Sequence, residues 1–366
     1  MLKYPYINSE IKINRSTFKN RLVFPPIGTN YAGLDGNFTN KLKNHYKERI
    51  EGNIGCLEIE ATCVSKDGKL TKNQLCSYNS SFQGDLKEIC EYAHKQRVNV
   101  IVQLAHGGRF ADKNATSLPL ISPSKFVMNE SVSNEMNESD IERIREDFIQ
   151  GALKCYLAGA DGIELHMAHG YLLAQFLSPA TNNRQDKYGG SIQNRCLFSL
   201  EIIKGIREKT DKGFQIWCRI SAEEYMENGL QLAEAIEISK ILEINGVDCI
   251  HVSCGVKGIG KSSPQGKENM GHIVYLSEEI KKAVKIPIIA VSKIMNIQMA
   301  EAIIESKKAD LVAVGRPLIA DSMWFINSLE NRKSKECKYC NIGCLNNAVN
   351  GNEIKCILWD GELSDK

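Results

Sequence analysis

Two histidines and a tyrosine stand close together in residues 164–179, which read ELHMAHGYLLAQFLSP. His166, His169 and Tyr171 come at the end of an apolar run. Alternation along a strand would place Glu164 and His166 on the same face. Two imidazoles and a phenol that converge can hold a carbonyl oxygen and deliver a proton. The alternatives are a hydrogen-bonded pair of structural histidines, or a metal site for which the sequence offers no compelling third ligand.

Four of the 13 cysteines crowd into the last 30 residues, with the spacing Cys337-x2-Cys340-x3-Cys344-x11-Cys356. Four thiolates suit either tetrahedral zinc or an iron–sulfur cube. Zinc sites tend to use two CxxC pairs, whereas this pattern is a close triple with one distant cysteine. It therefore favours a [4Fe–4S] cluster, with zinc as the alternative. The other cysteines are scattered, several of them in apolar runs, which indicates free thiols.

Three further positions carry groups that bind flat or anionic ligands. Gln103 precedes two glycines in the phrase QLAHGGR. Its amide offers a donor and an acceptor to an imide edge, and the glycines allow a close approach to the backbone. Arg219 ends another apolar run with a permanent cation. Gly315 and Arg316 end the last apolar run, where barrels commonly bind phosphate. The plainer interpretations are turn glycines and an ion-paired arginine.

Residues 255–262, GVKGIGKS, satisfy the P-loop pattern and follow an apolar run. A P-loop works only where a helix begins at once, so that its amides face the phosphates. Here the sequence continues SPQG, which is typical of a loop. We therefore expect a flexible glycine loop over the site rather than a nucleotide triphosphatase.

Eight short apolar runs alternate with segments of helical periodicity. The runs span residues 21–27, 54–61, 99–105, 161–167, 214–220, 247–253, 286–291 and 309–314. Eight strand–helix units predict parallel strands closed into a (β/α)8 TIM barrel, with a doubly wound sheet as the structural alternative. In a barrel the carboxyl ends of the strands carry the chemistry, and the candidate residues come there.

Three local predictions accompany this fold. The segment EIKINRST, before the first run, is expected to form a hairpin that closes the barrel floor. The helical segment 139–157 opens with Ser139 and Glu142, which predict a capping box. The long polar stretch 106–139 is either a lid or a solvated excursion.

Composition excludes several classes of protein. The 366 residues carry a net charge of only +2, with both signs interspersed, so bulk attraction to nucleic acid or to a membrane surface is not expected. No apolar run approaches the roughly 20 residues that span a bilayer. The first residues lack the apolar segment of a signal peptide, so we expect a cytoplasmic protein. We divide the chain into a barrel, residues 1–330, and a C-terminal cysteine-rich segment, residues 331–366.

Several phrases together resemble the old yellow enzyme family of flavin oxidoreductases. They include FKNRLVFPP near the N-terminus, EATCV, QLAHGGR, the phrase HMAHGYLLAQFLSPATNNRQDKYGGSIQNR, VGRPLIAD and the cysteine pattern. The central phrase is long and specific. The resemblance is greatest to the iron–sulfur branch, which includes 2,4-dienoyl-CoA reductase, 2-enoate reductase and trimethylamine dehydrogenase.

The resemblance implies FMN at the barrel mouth. Gln103 would bond the pyrimidine edge of the flavin, and Arg219 would stabilise negative charge near N1 and O2. The residues implied at the ring or the phosphate are Pro25, Pro26, Ile27, Gly28, Ala61, Gly315 and Arg316. The family often has Gly-Arg or Gly-Lys after the seventh strand, where this chain has Ser292 and Lys293.

The resemblance also assigns roles to the histidine pair. His166 and His169 would bind the carbonyl of an α,β-unsaturated carbonyl or enoate substrate, and Tyr171 would protonate the α-carbon while reduced FMN delivers hydride to the β-carbon. Within the iron–sulfur branch, the pair indicates an enone or enoate reductase. The rival activities are amine oxidation, with electrons leaving through the cluster, and a non-catalytic electron relay.

The source of electrons is open. Relatives with this cluster usually continue into FAD- and NAD(P)H-binding domains, whereas this sequence ends ten residues after Cys356 and contains no Rossmann fingerprint. NADH or NADPH would then reduce FMN directly, or a separate FAD/NAD(P)H or ferredoxin-type protein would feed the cluster. A structural role, pinning the tail to the barrel, is the third alternative.

Overall fold

The computed structural model describes residues 3–116, 118–128, 131–257 and 271–359. Its strands are β1 (Ile11–Ile13), β2 (Ser16–Phe18), β3 (Leu22–Phe24), β4 (Cys56–Cys63), β5 (Asn99–Ala105), β6 (Leu120–Ser122), β7 (Phe126–Met128), β8 (Ser131–Glu135), β9 (Gly162–Met167), β10 (Gln215–Ser221), β11 (Cys249–Ser253), β12 (Ile288–Ala290) and β13 (Leu311–Ala313). Its helices are α1 (Asn40–Glu51), α2 (Phe82–Lys95), α3 (Glu138–Leu157), α4 (Leu172–Leu177), α5 (Ile192–Lys209), α6 (Leu232–Ile244), α7 (Val274–Ala283), α8 (Ile297–Glu305), α9 (Arg316–Ala320), α10 (Trp324–Leu329) and α11 (Leu345–Val349). No helix in these ranges is long and apolar enough to cross a bilayer.

Eight strands form a closed ring, in the order β10, β11, β12, β13, β3, β4, β5, β9. All neighbouring pairs in this order are parallel. Each barrel strand overlaps one of the eight runs predicted from the sequence, and the TIM barrel is confirmed. The doubly wound alternative is wrong, because the ring has no edge strand. The strands are almost wholly buried since the barrel core covers one face and the helices cover the other.

The predicted hairpin closes the floor of the barrel. β1 and β2 pair antiparallel, and Phe18 at the end of β2 packs with its ring centroid 5.9 Å from that of Trp217. Ile13 and Phe18 belong to the same buried cluster as the lowest inward side chains of the strands. With the floor filled by apolar side chains, the opposite, carboxyl end of the strands is left for ligands.

The capping box exists, but the sequence analysis placed it two residues too late. Asn137 caps α3, because its side chain accepts a hydrogen bond from the Asp140 amide at 2.9 Å while Asp140 accepts one from the Asn137 amide at 3.1 Å. Asparagine caps a helix as well as serine does, and aspartate serves as the reciprocal acceptor. Ser139 therefore lies inside the first turn, and Glu142 has no capping role.

The polar stretch after β5 contains regular structure. It begins with a single 3-10 turn, Gly108–Phe110, and continues into a small sheet in the order β6, β8, β7. β6 and β8 both contact the 3-10 turn. The sheet is thus fixed to the glycine-rich end of β5, beside the barrel mouth.

Candidate active site and cysteine cradle

A cavity of about 450 Å³ opens at the carboxyl end of the barrel. This size is within the range of small-molecule and cofactor sites. All of the barrel residues singled out from the sequence line it: Pro25, Pro26, Ile27, Gly28, Ala61, Gln103, His166, His169, Tyr171, Arg219, Ser292, Lys293, Gly315 and Arg316. The barrel brings them together from β3, β4, β5, β9, β10, β12 and β13, because the ends of parallel strands meet on one side.

The two histidines converge in this cavity. His166 Nε2 lies 3.5 Å from His169 Nδ1, and the rings of Tyr171 and His166 meet edge to face with a centroid distance of 4.9 Å. His166 stands on β9, whereas His169 follows in a turn where its φ is 60° and that of Gly170 is 75°. This left-handed turn directs the second imidazole back towards the first.

All three groups are uncharged at neutral pH. Burial, reinforced by His169 and Arg219, holds the pKa of His166 well below its ordinary value. Burial and Arg219 lower the pKa of His169 to about 3. Burial raises the pKa of Tyr171 to about 12. The site therefore offers two neutral imidazoles, each with one N–H, and one protonated phenol.

Two serines that the sequence analysis missed hold His169 in place. Ser253 Oγ lies 2.7 Å from His169 Nε2, and Ser221 Oγ accepts a hydrogen bond from the His169 amide at 2.9 Å. Ser221 in turn donates to Gly255 O. If Ser253 donates to Nε2, the ring proton of His169 is on Nδ1, the atom that faces His166. Both serines end barrel strands, which was the one available signal, but serine is too common for that position to identify them.

A fully buried cluster lies inside the barrel with Gln103. Gln103 Nε2 donates to Glu164 Oε1 at 2.6 Å, and His251 Nδ1 lies 3.0 Å from Glu164 Oε2 and 3.4 Å from Glu58 Oε2. The inward direction predicted for Glu164 agrees with these contacts. Glu58 and His251 were not identified from the sequence, although each occupies an inward position of its strand. They show that the barrel interior carries ionisable side chains between the apolar floor and the cavity.

The two residues that follow the end of β12 by one position adopt left-handed backbone conformations although neither is glycine. Ser292 has a φ of 90° and Lys293 a φ of 51°, in the left-handed region that glycine adopts without strain. Next to them Gly315 begins α9, and a Cβ there would meet Ile27 Cδ1 at 2.9 Å. The two strand ends thus bring backbone amides close to the cavity wall.

The Arg316 side chain binds the C-terminal tail. Its guanidinium donates to Asn341 Oδ1 at 2.7 Å and stacks 4.3 Å from the centroid of the Tyr339 ring. The sequence analysis assigned Arg316 only to a phosphate. The structure adds a second role, because Arg316 lines both the main cavity and the small cavity described next.

The four C-terminal cysteines surround a small cavity next to the barrel mouth, which we call the cysteine cradle: Cys337, Cys340, Cys344 and Cys356. Cys344 also lines the main cavity. Cys340 is exposed, Cys356 is buried, and the other two are intermediate. Within the described residues, which include all four cysteines, no three of these sulfurs lie within 4.8 Å of one another.

Hydrogen bonds to the barrel hold the cradle in position. Tyr31 Oη donates to Ile354 O at 2.6 Å, and the Ile354 amide donates to Thr29 O at 3.0 Å. Trp359 Nε1 donates to Ile319 O at 2.9 Å. In its described part, residues 331–359, the segment contains only one short helix, α11, none of whose residues is buried. Ile354 and Cys356 also pack into the apolar core of the barrel, so the position of the segment depends on contacts with the barrel rather than on a core of its own.

Part of the P-loop pattern also reaches the site. The Lys257 amide donates to His169 O at 3.0 Å, and Lys257 lines the main cavity. The decisive residues of the pattern, Lys261 and Ser262, lie outside the described residues.

The sequence profile of the NADH:flavin oxidoreductase / NADH oxidase family matches residues 9–335. The chain belongs to this family. Its members are FMN-dependent oxidoreductases, and the resemblance to old yellow enzymes is thereby confirmed. The match takes in the whole barrel and ends just before the first cysteine of the cradle.

Two curated relatives differ in length. The NADH oxidase of Thermoanaerobacter brockii is 38% identical over 98% of this chain, which spans 56% of that protein. The NADPH dehydrogenase of a Geobacillus species is 35% identical over 88% of this chain and 92% of its own length. The chain thus spans about half of the first relative and nearly all of the second.

Solved structures of longer proteins and of proteins of similar length share the fold of this chain. The complex of 2-naphthoyl-CoA reductase with 2-naphthoyl-CoA superposes with a TM-score of 0.92 and 26% identity, over 97% of this chain and 57% of that one. Histamine dehydrogenase from a Rhizobium species gives a TM-score of 0.86 at 23% identity, over 97% of this chain and 52% of that one. The old yellow enzyme homologue of Zymomonas mobilis gives 0.78 at 23%, over 91% and 94%. The last two likenesses show the fold alone.

The cavity of this flavin oxidoreductase fits FMN by a polar atom that it leaves unpaired. Arg219 lines the cavity, and its Nε is buried without a hydrogen-bond partner among the described residues. Buried polar atoms are ordinarily satisfied, so an unpaired atom at a cavity wall indicates a ligand. The apolar residues Pro25, Pro26 and Ile27 supply the flat wall that an isoalloxazine ring requires.

Proposed function

We propose that this chain reduces the C=C bond of an α,β-unsaturated carbonyl or enoate at an FMN site in the barrel cavity, with NADH or NADPH as the electron donor. The observation that most directly supports this proposal is the pair of neutral imidazoles, His166 and His169. Nε2 of the first and Nδ1 of the second lie 3.5 Å apart beside Tyr171. Donors that are fixed in position before the reaction are what a developing oxyanion needs.

The residues that would hold FMN are those that line the cavity. Gln103 and Arg219 would meet the pyrimidine edge, Pro25 to Gly28 and Ala61 would lie against the ring, and the backbone at Ser292, Lys293, Gly315 and Arg316 would receive the phosphate. When bound and reduced, FMN supplies a hydride for the β-carbon of the substrate.

The histidines bind the substrate carbonyl. His166 Nε2–H and His169 Nδ1–H would both donate to its oxygen, which gains negative charge as the β-carbon is reduced. Donors that are held in place without water stabilise this charge more than they stabilise the neutral carbonyl, so they lower the barrier. Ser253 supports this arrangement because its hydroxyl can hold the proton of His169 on Nδ1.

Tyr171 supplies the proton. Its phenol is protonated at neutral pH, since its pKa is about 12, and it stands beside His166 in the cavity. Transfer of this proton to the α-carbon completes the reduction. Bulk water then returns a proton to the phenolate.

We further propose that residues 331–366 form a cluster-binding segment, in which the cysteine cradle holds a [4Fe–4S] cluster. Tetrahedral zinc, with Zn–S bonds of about 2.3 Å, would bring its sulfurs within roughly 3.8 Å of one another. No three of the cradle sulfurs lie within 4.8 Å of one another, and this supports the larger iron–sulfur cube. Cys344 borders both cavities, so the cluster would lie next to FMN and could exchange electrons with it or with a separate redox protein.

The function is tested by reoxidation of the reduced protein. The flavin is reduced without oxygen and mixed with 2-cyclohexenone in a stopped-flow spectrometer, and the return of flavin absorbance is followed. We expect His169→Ala to slow this return about 10²- to 10³-fold, because one oxyanion donor is lost, while reduction by NAD(P)H is unchanged. His94→Ala is the matched control, since His94 pairs with Asp161 outside the cavity.

Other outcomes separate the rivals. Flavin reduction by histamine or trimethylamine, without reoxidation by the enone, would assign amine oxidation. Equal reoxidation by the wild type and His169→Ala would contradict the role of the histidine pair and support an electron relay.

A further inference from the structure

The side-chain amide of Gln103 is held from inside the barrel. Its nitrogen donates to Glu164 Oε1 at 2.6 Å, and Gln103 also lines the main cavity. Both side chains are buried. The two ends of this amide therefore have different surroundings, one towards the charged interior and one towards the ligand.

Glu164 accepts hydrogen bonds at both of its oxygens. Oε1 receives the Gln103 amide, and Oε2 lies 3.0 Å from His251 Nδ1. Burial lowers the pKa of His251, but Glu58 and Glu164 together raise it above its ordinary value, so a proton on Nδ1 is favoured. A carboxylate that accepts twice has no proton to donate.

This arrangement decides which way the amide points. An unconstrained glutamine can present its oxygen or its nitrogen to a ligand at nearly equal cost, because the two ends have the same shape. A buried carboxylate removes one of these choices, since the amide oxygen in its place would face a second acceptor without any hydrogen between them. The nitrogen is thus turned inward, and Oε1 is left for the cavity.

We propose that Glu164, oriented by His251, is a positioning residue that makes Gln103 a hydrogen-bond acceptor at the FMN site and so selects the N3–H of the flavin. The inference rests on the proposed function, in that FMN is taken as the ligand. The sequence alone left the direction of the Gln103 amide open, whereas here one N–H of its nitrogen is bound to Glu164, so that Oε1 is the acceptor towards the cavity and the second N–H remains for a neighbouring flavin oxygen. Arg219 complements it with a donor for a neighbouring flavin oxygen.

Glu58 provides a matched comparison within the same cluster. It is as deeply buried as Glu164, but its 3.4 Å contact with His251 Nδ1 does not have hydrogen-bond geometry, and neither of its oxygens contacts Gln103 as a hydrogen-bond partner. Glu58→Gln and Glu164→Gln are the same chemical change at neighbouring positions. Only the second gives the Gln103 amide a partner that can donate, and so allows the amide to flip.

The experiment compares FMN with 3-methyl-FMN, which lacks the N3–H donor. The full chain, freed of flavin, is titrated with each compound by flavin fluorescence. We expect the wild type and Glu58→Gln to bind FMN about tenfold more tightly than the analogue, as for one hydrogen bond in a buried site. Glu164→Gln should lower this preference to less than about twofold. A change that only loosened the fold would weaken both compounds alike and leave the ratio unchanged.

Gln103→Met keeps the test decisive if Glu164→Gln does not fold. It retains the volume of the side chain but has no amide, so it should also abolish the preference. A tenfold preference in folded Glu164→Gln or in Gln103→Met, or a wild-type ratio near one, would overturn the inference while leaving FMN binding intact. Failure of the wild type to bind FMN at all would overturn the proposed function itself.

Discussion

The barrel mouth and the cysteine cradle are neighbours that are built in opposite ways. At the mouth, His166, Gln103 and Arg219 stand on strands of a closed barrel. Their directions are set by pairing in the sheet and by buried partners. In the cradle, the cysteines lie on irregular chain around one short helix, none of whose residues is buried. The mouth is preorganised by the fold, whereas the cradle depends on hydrogen bonds and apolar packing against the barrel and, in our proposal, on the cluster.

This difference in construction predicts that the barrel mouth tolerates single substitutions better than the cysteine cradle does. A preorganised pocket keeps its shape when one lining side chain is altered, so its losses should be confined to the chemistry of that side chain. A site without a core couples ligand binding to folding, so the loss of one ligand should release the whole segment. Cys344 borders both cavities and joins the two sites.

The largest expected effect is on the cradle. Cys344→Ser should remove nearly all of the iron, because a cluster that loses one of four thiolates is no longer held. FMN should remain bound at the mouth. Iron analysis and the visible spectrum of anaerobically purified protein measure both, with Cys254→Ser, outside the cradle, as the control. Iron retained in the variant, or zinc in the wild type, would contradict the proposed cluster.

A smaller effect is expected when the support of the mouth is altered. Ser253→Ala should lower kcat/KM for 2-cyclohexenone about fivefold, as for the loss of one hydrogen bond of roughly 1 kcal/mol to His169. The pocket itself should remain intact, so flavin reduction by NAD(P)H should keep its rate. Ser253→Thr restores the hydroxyl and should recover most of the activity. An unchanged kcat/KM in Ser253→Ala would show that this contact does not set the tautomer of His169.

The smallest effect concerns the attachment of the cradle. Tyr31→Phe removes the hydrogen bond to Ile354 O, so local opening of the tail should become easier by about 1–2 kcal/mol. Hydrogen exchange should then accelerate about tenfold in the tail, with no change in the barrel strands. Tyr92→Phe, which removes a hydroxyl contact to the exposed end of α1, is the control. Faster exchange in the barrel strands of Tyr31→Phe would mean that the two sites are not built independently.

The barrel was predictable because its physical signals are strong and local. Parallel strands covered on both faces leave continuous apolar runs, and eight such runs leave few architectures. Alternation along β9 was enough to turn Glu164 and His166 inward. Many of the residues that line the cavity were also found, because they come at the strand ends or in phrases that resemble a known family.

Contacts between distant segments were not predictable. Ser253 holds His169 from another strand, and Glu58 and His251 meet Glu164 across the barrel interior. The partner of Arg316 is in the tail, at Asn341, which no spacing in the sequence indicates. These pairings depend on the register of the closed barrel, and the sequence does not encode that register in any local pattern.

An anaerobic titration of the purified protein with NADH and then NADPH, followed by visible absorbance, tests the central claim most directly. The account predicts a yellow protein whose flavin bleaches with a stoichiometric amount of one nicotinamide and recovers its colour when 2-cyclohexenone is added. A protein that holds no flavin after incubation with FMN, or whose reduced flavin does not respond to the enone, would contradict it.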